Sequence, residues 1–421
     1  MMRAREIAGI CLPYEIRQLM ELDEDKKALE GRTPLNKGVV ALGWVSFLND
    51  AASEMIYPLL PDFVTRVLGA SPAVLGLIEG VAEATASLAK VAAGWWSDRV
   101  RRRKPFVVLG YSVATVARPL IGVATSWAQV LAIRFADRLG KGLRTPPRDA
   151  LLADMTLSKD RGRAFGLQRA MDNAGGLVGP ILAAIILRFW IREERDLFLL
   201  ALVPGLIAVL LLVLRVPEKR READPPQALL EKPPGLSRPL RIAIAIFVLF
   251  TLANSTDAFL LLRARDCGIP LWQLPLLWAF FNGAKAAVGV PGGALSDRIG
   301  RIPTISLGWL IYALSYLGFA FAASPLAAWA LFGFYALFFA ATEGAERALI
   351  ADLAGERLRG RAFGAFHGAV GLAALPASIL FGLWWKFFGP RVAFLTGAAI
   401  SLAATAALLA FRRTLSPTAP E

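Results

Sequence analysis

Long apolar runs separated by short polar stretches recur twelve times along the chain, near 38–61, 72–95, 105–124, 127–146, 163–190, 196–216, 241–262, 271–294, 303–323, 326–345, 361–387 and 391–411. Each holds about 20 residues or more, enough to cross roughly 30 Å of hydrocarbon as a helix. The runs lack strand alternation, and only helices or closed barrels satisfy every backbone group in lipid, so the pattern predicts twelve membrane-spanning helices. Connections are short: Thr125-Ser126 nearly joins spans three and four, and Ser324-Pro325 does so for spans nine and ten. They leave no room for an external globular domain. The long polar interruption runs from Pro217 to Pro239, carries Pro225-Pro226 and Pro233-Pro234, and reads as a hydrophilic tether. The expected organisation is a cytoplasmic extension at 1–37, a six-helix bundle at 38–216, a cytoplasmic linker at 217–240, a second six-helix bundle at 241–411 and a cytoplasmic tail at 412–421.

The two bundles are copies of one another. Arg161-Gly162-Arg163-Ala164-Phe165-Gly166 recurs as Arg359-Gly360-Arg361-Ala362-Phe363-Gly364, 198 residues later. Ala150-Leu151-Leu152-Ala153-Asp154 is echoed at the same offset by Ala348-Leu349-Ile350-Ala351-Asp352. Ser97-Asp98-Arg99 and Ser296-Asp297-Arg298 lie 199 apart. Parallel duplication in so apolar a chain points to a transporter that rocks one half against the other.

Composition agrees: 56% of residues are apolar, too many for a water-soluble protein of 421 residues. The net charge of +14 raises nucleic acid as a partner, and its distribution argues against it. With the N-terminus inside, the cytoplasmic connections carry about twenty Lys and Arg against about seven outside, the positive-inside bias. Residues 1–37 mix acids and bases and contain no apolar core of signal-peptide type. Cys11 and Cys267 stand far apart, and six Met with one His form no ligand cluster, so neither a structural disulfide nor a metal or other cofactor is expected.

Two motifs narrow the class. Between spans two and three, Gly94-Trp95-Trp96-Ser97-Asp98-Arg99-Val100-Arg101-Arg102-Arg103 is matched in the second half by Gly293-Ala294-Leu295-Ser296-Asp297-Arg298-Ile299-Gly300-Arg301. Both resemble the loop motif of the major facilitator superfamily, Gly-x-Leu-Ala-Asp-Arg-x-Gly-Arg-Arg/Lys, with Arg101 in place of a glycine. Span five carries Gly166, Gly175, Gly179-Pro180 and Ala183-Ala184, which resembles that superfamily's antiporter motif with Ala-Ala for the final Gly-Gly. Tyr57-Pro58-Leu59-Leu60-Pro61 also resembles its export members. The resemblance covers about 38–411. It implies an all-α membrane protein of two pseudo-symmetric six-helix bundles, a cytoplasmic gate at Gly94, Asp98, Arg99, Arg102, Gly293, Asp297, Arg298 and Arg301, and proton-coupled export. Fixing topology is the plainer role for the gate charges, and close helix packing is the plainer role for the glycines.

Ionisable groups inside apolar spans cost roughly 2.5–3.5 kcal/mol each at helix centre, so they are expected to face partners or a wet cavity. Span one holds Asn49, Asp50, Ser53 and Glu54; span two Glu79, Glu83 and Lys90; span four Arg134, Asp137, Arg138 and Lys141; span five Gln168, Arg169, Asp172 and Asn173. The second half is poorer, with Asn254, Asp257, Asn282, Lys285, Glu343 and His367. This asymmetry assigns proton handling to the first half and a more apolar wall to the second. A carboxylate in a low-dielectric cavity holds its proton more tightly, and a nearby Arg reverses the effect. Asp50 and then Glu54 are the expected proton carriers, with Arg134 as their electrostatic control and Asp137 as a further proton-coupling candidate; Asn49, Arg138, Lys141, Gln168, Asp172, Asn173, Asn254, Asp257, Asn282, Lys285 and Glu343 are the cavity candidates. Arg134 stands where the superfamily has its span-four Arg, with Asp137 and Arg138 departing from its Gln and Gly. Static pairing of Asp137 with Arg138 or Lys141, and of Arg169 with Asp172, is the competing reading. Arg118 in span three is expected to reach inward or to pair with a neighbouring acid. Trp278, Phe280, Phe281 and Trp309 would form either an apolar cavity contact or a lipid face.

The sequence therefore reads as a monomeric secondary transporter in a bacterial-type inner membrane, exporting a small organic solute against protons. Proton-coupled uptake is the alternative, and a non-transport receptor or lipid-handling protein the remote one. No phosphate-binding loop or catalytic cluster suggests an enzyme or direct ATP driving.

Overall fold

The computed structural model describes residues 35–99, 102–218 and 235–415. Expectations for 1–34, for 219–234 of the tether and for 416–421 lie outside these residues. The described chain is helical and crosses its own thickness twelve times. Six helices make the first half: α1 (Lys37–Ile56), α2 (Pro72–Arg99), α3 (Lys104–Val123), α4 (Trp127–Asp154), α5 (Arg161–Phe189) and α6 (Glu194–Arg215). The second half comprises α7 (Arg238–Asp266), α8 (Gln273–Ile299), α9 (Arg301–Phe321), α10 (Pro325–Ala354) and α11 and α12, at 358–388 and 390–410.

Local chemistry sets the helix starts. Ser324 Oγ accepts from Ala327 N and Pro325 opens the first turn of α10; Ser237 Oγ accepts from Leu240 N at the start of α7. Helical hydrogen bonding runs unbroken from Pro325 to Ala410, which would extend about 129 Å if straight. The run instead reverses twice: between α10 and α11, since Glu346 and Phe366 lie at the level of Trp309 while Tyr335 and Phe381 both meet Tyr316, and again at Gly389, whose φ is +82°, a conformation that suits a residue without Cβ. Phe381 and Phe394, on either side, have ring centres 5.2 Å apart.

The face where α1 starts at Lys37 is termed proximal and the opposite face distal. Two helices carry irregular segments. After Ile56, α1 continues through a tight turn at Tyr57–Leu59 and a wider one at Phe63–Val67, around Pro58 and Pro61. In α7, helix stops at Ala253 and resumes at Ala258. The two breaks touch: Tyr57 Oη lies 3.4 Å from Thr256 Oγ1.

Small residues bring the helices of each half together. Gly110 on α3 faces Gly140 on α4, so that a Cβ on Gly140 would lie 2.7 Å from Gly110 O. Gly175 and Gly179 of α5 press against the backbone of α1 at Phe47 and Ala51, and Pro180 is buried beside them. Gly166, the first residue of the antiporter-like pattern, has open space around it. The halves meet along two seams. α2 packs on α11, with Gly76 against Ser378, Gly80 against Leu375 and Gly382 against Pro72. α5 packs on α8, where Asn282 Nδ2 donates to Gly176 O at 3.3 Å. Outward faces are apolar: Leu206, Leu210 and Leu214 on α6 are about half exposed or more, as are Val116 and Val123 on α3. In lipid that stripe is satisfied.

Several helices run past the apolar stretches that announce them. The first span continues to Val67 rather than 61, α4 to Asp154 rather than 146, and α10 to Ala354 rather than 345. Helical hydrogen bonding does not stop where hydrocarbon does, so charged turns extend beyond it.

Candidate functional site

A cavity of about 980 Å³ lies between the halves. Its lining comes from α1, α2, α4 and α5 of the first half and α7, α8, α10 and α11 of the second. Asp50, Glu54, Lys141, Asp172, Asn173, Asn254, Asn282, Lys285 and Glu343 of the expected set line it. Trp278, at its distal end, is buried, whereas the side chains of Arg169 and Glu343 are 65% and 45% exposed, so the cavity widens proximally.

Distal closure is built from contacts between the halves. Trp278 Nε1 donates to Glu54 Oε2 at 2.6 Å, and its ring lies 5.0 Å from that of Tyr57. Beyond them, Arg265 pairs with Asp62 at 3.0 Å and Arg66 with Asp266 at 2.9 Å. On the proximal side Arg169 reaches Glu343 at 3.2 Å, and Arg347 holds the same carboxylate at 3.1 Å. Arg169 thus pairs across the halves and not with Asp172.

Arg134, Asp137 and Arg138 sit beside the cavity in a buried network. Asp137 is 1% exposed and faces Arg118 at 2.9 Å, Arg134 at 3.6 Å and Arg138 at 3.9 Å. Arg134 also binds Glu79 at 2.6 Å. Arg118 donates to both the main-chain and side-chain oxygens of Asn49 at 3.0 Å, and Asn49 Nδ2 donates to Asp50 at 2.8 Å. Among the described residues Arg134 therefore connects to Asp50 through Asp137, Arg118 and Asn49. Gln168 belongs to a second cluster, donating to Ser46 Oγ and, at 3.1 Å, to Asp172; Arg148 lies 3.7 Å from Asp172. Arg144 stacks 4.4 Å over Tyr111.

The second half supplies an aromatic wall. Phe250 stacks on Trp309 at 4.4 Å, and Tyr312 on Tyr316 at 4.1 Å. Around the α7 break, Tyr316 Oη meets Ser255 Oγ at 2.9 Å and Tyr335 Oη donates to Asp257 at 3.0 Å. Asp257 is thereby held behind the wall. Trp309 donates to Glu346 at 3.1 Å, and Lys285 Nζ lies 4.5 Å from the Phe339 ring centre. Trp278 and Trp309 thus point inward; Phe280 is 44% exposed on the outer face. Glu346, Arg144 and Arg148 are cavity residues absent from the sequence-based set. So is the α7 break, although four consecutive helix-poor polar residues, Asn254 to Asp257, announce it.

Gate-motif side chains described here act within their own halves. Arg103, next to the expected Arg102, binds Asp154 at 2.6 Å; Arg301 lies 3.6 Å from Asp352 and 2.5 Å from Asp297. Asp154 and Asp352 are the matching last residues of the repeated Ala-Leu-x-Ala-Asp segment. Arg102 and Arg298 are exposed, and Gly94 packs loosely against Pro146. The side chains of Asp98 and Arg99, and the surroundings of Gly293, lie outside the described residues.

Comparison with known proteins agrees with this architecture. A model of the Major Facilitator Superfamily matches residues 42–345 and 242–421. An uncharacterized MFS-type transporter of Methanocaldococcus jannaschii is 34% identical over 393 residues, spanning 92% of this chain and 98% of that one. A multidrug resistance protein of Photorhabdus laumondii is 29% identical over 136 residues, 32% of this chain and 33% of that one. Among solved structures, an inward-facing bacterial homolog of the human lysosomal transporter Spinster superimposes with a TM-score of 0.75 at 18% identity, covering 91% of this chain and 98% of that one. With its duplicated halves, inter-lobe cavity and matched sequence, the chain belongs to the major facilitator superfamily of membrane transporters.

Proposed function

We propose that the protein exports a small organic molecule across a bacterial-type inner membrane in exchange for protons, as a monomer working by alternating access. The observation that carries this reading is the inter-lobe cavity, closed distally by Glu54 and Trp278 and holding carboxylates whose hydrogen-bond partners are neutral. The proximal face is assigned to the cytoplasm, with both termini, because Arg102, Arg103, Lys104, Arg301, Arg412 and Arg413 gather there.

Neutral partners decide which acids carry protons. Protonating Asp137 or Glu79 would strand buried guanidiniums, which is costly, so these acids serve as fixed counter-charges. Glu54 accepts from an indole and Asp50 from an amide, so each can take a proton without breaking an ion pair within 4 Å. A charged acceptor makes a hydrogen bond about twice as strong as a neutral one, so a proton on Glu54 weakens its tie to Trp278 across the halves. Cargo that displaces Trp278 weakens the same tie. The empty, deprotonated state stays latched, and either ligand alone releases it, which is the logic exchange requires. Rocking about the α2–α11 and α5–α8 seams then parts the distal pairs and draws the proximal ends together. The glycine pattern of α5 and the multidrug resistance relative support export over uptake.

The test uses purified protein in liposomes with an internal pH dye and a panel of labelled aromatic acids, amides and amines. Solute-driven proton movement that disappears in Glu54→Gln and Asp50→Asn is the expected result. Solute flux without proton movement removes the coupling. In inside-out vesicles with an acidic lumen, export by exchange predicts solute accumulation; depletion would reverse the assigned direction.

A further inference from the structure

Seven cations and six acids line the described cavity, and their pairing is uneven. Arg148 engages Asp149 and Asp172, while Arg169 and Arg347 share Glu343. Glu54 and Glu346 accept from indoles, Asp50 from Asn49, and Glu83 is offset by Arg138, Lys141 and Lys90 nearby. Among the described residues four cations keep unfilled donors: Lys90 and Lys141, which share the charge of Glu83, and Arg144 and Lys285. Arg144 is 4% exposed and its Nη1 has no hydrogen-bond partner. Lys285 touches two ring faces, with Nζ 4.8 Å from the centre of Phe281 and 4.5 Å from that of Phe339; Asp257, held by Tyr335, is near enough to act on it through space, yet among the described residues Lys285 makes no hydrogen bond and no ion pair within 4 Å.

An ammonium can donate three hydrogen bonds and accept none, and ring faces supply none of the missing acceptors. A charged group facing a wet cavity is completed by water or by an anion that enters it. Apolar surface adjoins it, from Phe250, Phe338, Phe339 and Trp278, all of which line the same space. Arg144 offers a second unfilled donor from the opposite half.

We propose that the cargo is an organic anion, a carboxylate or similar singly charged group that binds Lys285 while its apolar body lies on the Phe250–Phe338–Phe339 wall. This rests on the transport reading and adds the substrate class to it. The acids of α1 are assigned to protons in that reading, and the ammonium probe below tests whether they take a cation instead.

Three probes of one shape test the charge: 2-naphthoate, 2-naphthamide and 2-naphthylmethylammonium, titrated calorimetrically into the full-length protein in detergent. Wild type is expected to bind naphthoate at least tenfold more tightly than the other two. Lys285→Met should erase that preference while naphthamide affinity stays within twofold, which also reports that the variant is folded; Lys285→Arg should retain it. Tighter binding of the ammonium probe, a preference for naphthoate that survives Lys285→Met, or no binding of any probe to wild type would overturn the assignment. Binding is read at equilibrium without a gradient, so a missing anion preference and a missing proton-driven flux are separate failures.

Discussion

Replacing Asp137 by leucine should damage the protein more than replacing Arg118, its nearest partner, by methionine. At an effective dielectric of about 20, unit charges 2.9 Å apart attract by ~6 kcal/mol, and charges 3.6 and 3.9 Å apart by ~4–5 kcal/mol each. Asp137→Leu forfeits all three attractions and leaves Arg138, whose Nε already lacks a hydrogen-bond partner, without an ion pair among the described residues. Desolvation already absorbed much of that Coulomb gain, so the net cost should be roughly 3–5 kcal/mol, as for breaking other buried pairs. Arg118→Met forfeits one attraction and leaves Asp137 two cations, so about 1–3 kcal/mol is expected. The double variant should cost at least about 1 kcal/mol less than the sum of the singles. Unfolding in mixed micelles with increasing dodecyl sulfate, followed by tryptophan fluorescence, measures all three. Equal costs for the two single changes, or strict additivity, would refute the idea of one acid neutralising several buried guanidiniums.

Other substitutions separate packing from gating. Gly179→Leu should cost about 1–3 kcal/mol by forcing α5 off Ala51, and Gly166→Leu, with open space around it, less than about 0.5 kcal/mol; thermal denaturation in detergent compares them. Removing the distal pairs with Arg66→Gln and Arg265→Gln forfeits about 1.4 kcal/mol of closure, so a cysteine at Asn282→Cys in a cysteine-free background should react roughly tenfold faster with an impermeant maleimide applied distally. Unchanged labelling would show that those pairs do not hold the distal side. Burial raises the Cys267 thiol above its ordinary range near 9, so in a Cys11→Ser background its alkylation at neutral pH should be slower than that of free cysteine and should rise as the pH is raised.

The order of spans and the doubling of the chain are legible because hydrophobic length and repeat offset are properties of sequence alone. Site residues were less so, for a specific reason. Arg148, Glu346 and Arg347 lie just past the apolar runs that announced α4 and α10, where a reading by hydrophobicity ends the helix. Asp62 and Arg66 lie past the first run in the same way. Arg134 and Asp137 follow the right helix face, yet whether a charged stripe meets water or other charges depends on Arg118 and Glu79 of neighbouring helices, which no spacing within α4 encodes. Lys285 was legible as a polar residue in an apolar span. Its lack of an acceptor was not, because that depends on what every facing helix leaves out.

The contact between Tyr57 and Thr256 joins residues 199 apart, the same interval that separates the repeated Ser-Asp-Arg triplets. They are therefore the same place in each copy, meeting at the pseudo-dyad. In an ancestor made of two identical lobes, that place would have met its own twin. A self-pairing position changes on both sides with every mutation until the genes fuse; afterwards each copy varies alone. Fusion thus freed this junction to become unequal, with a phenol on one side and a short hydroxyl in an unwound turn on the other, and gave a symmetric machine a polarity at its centre.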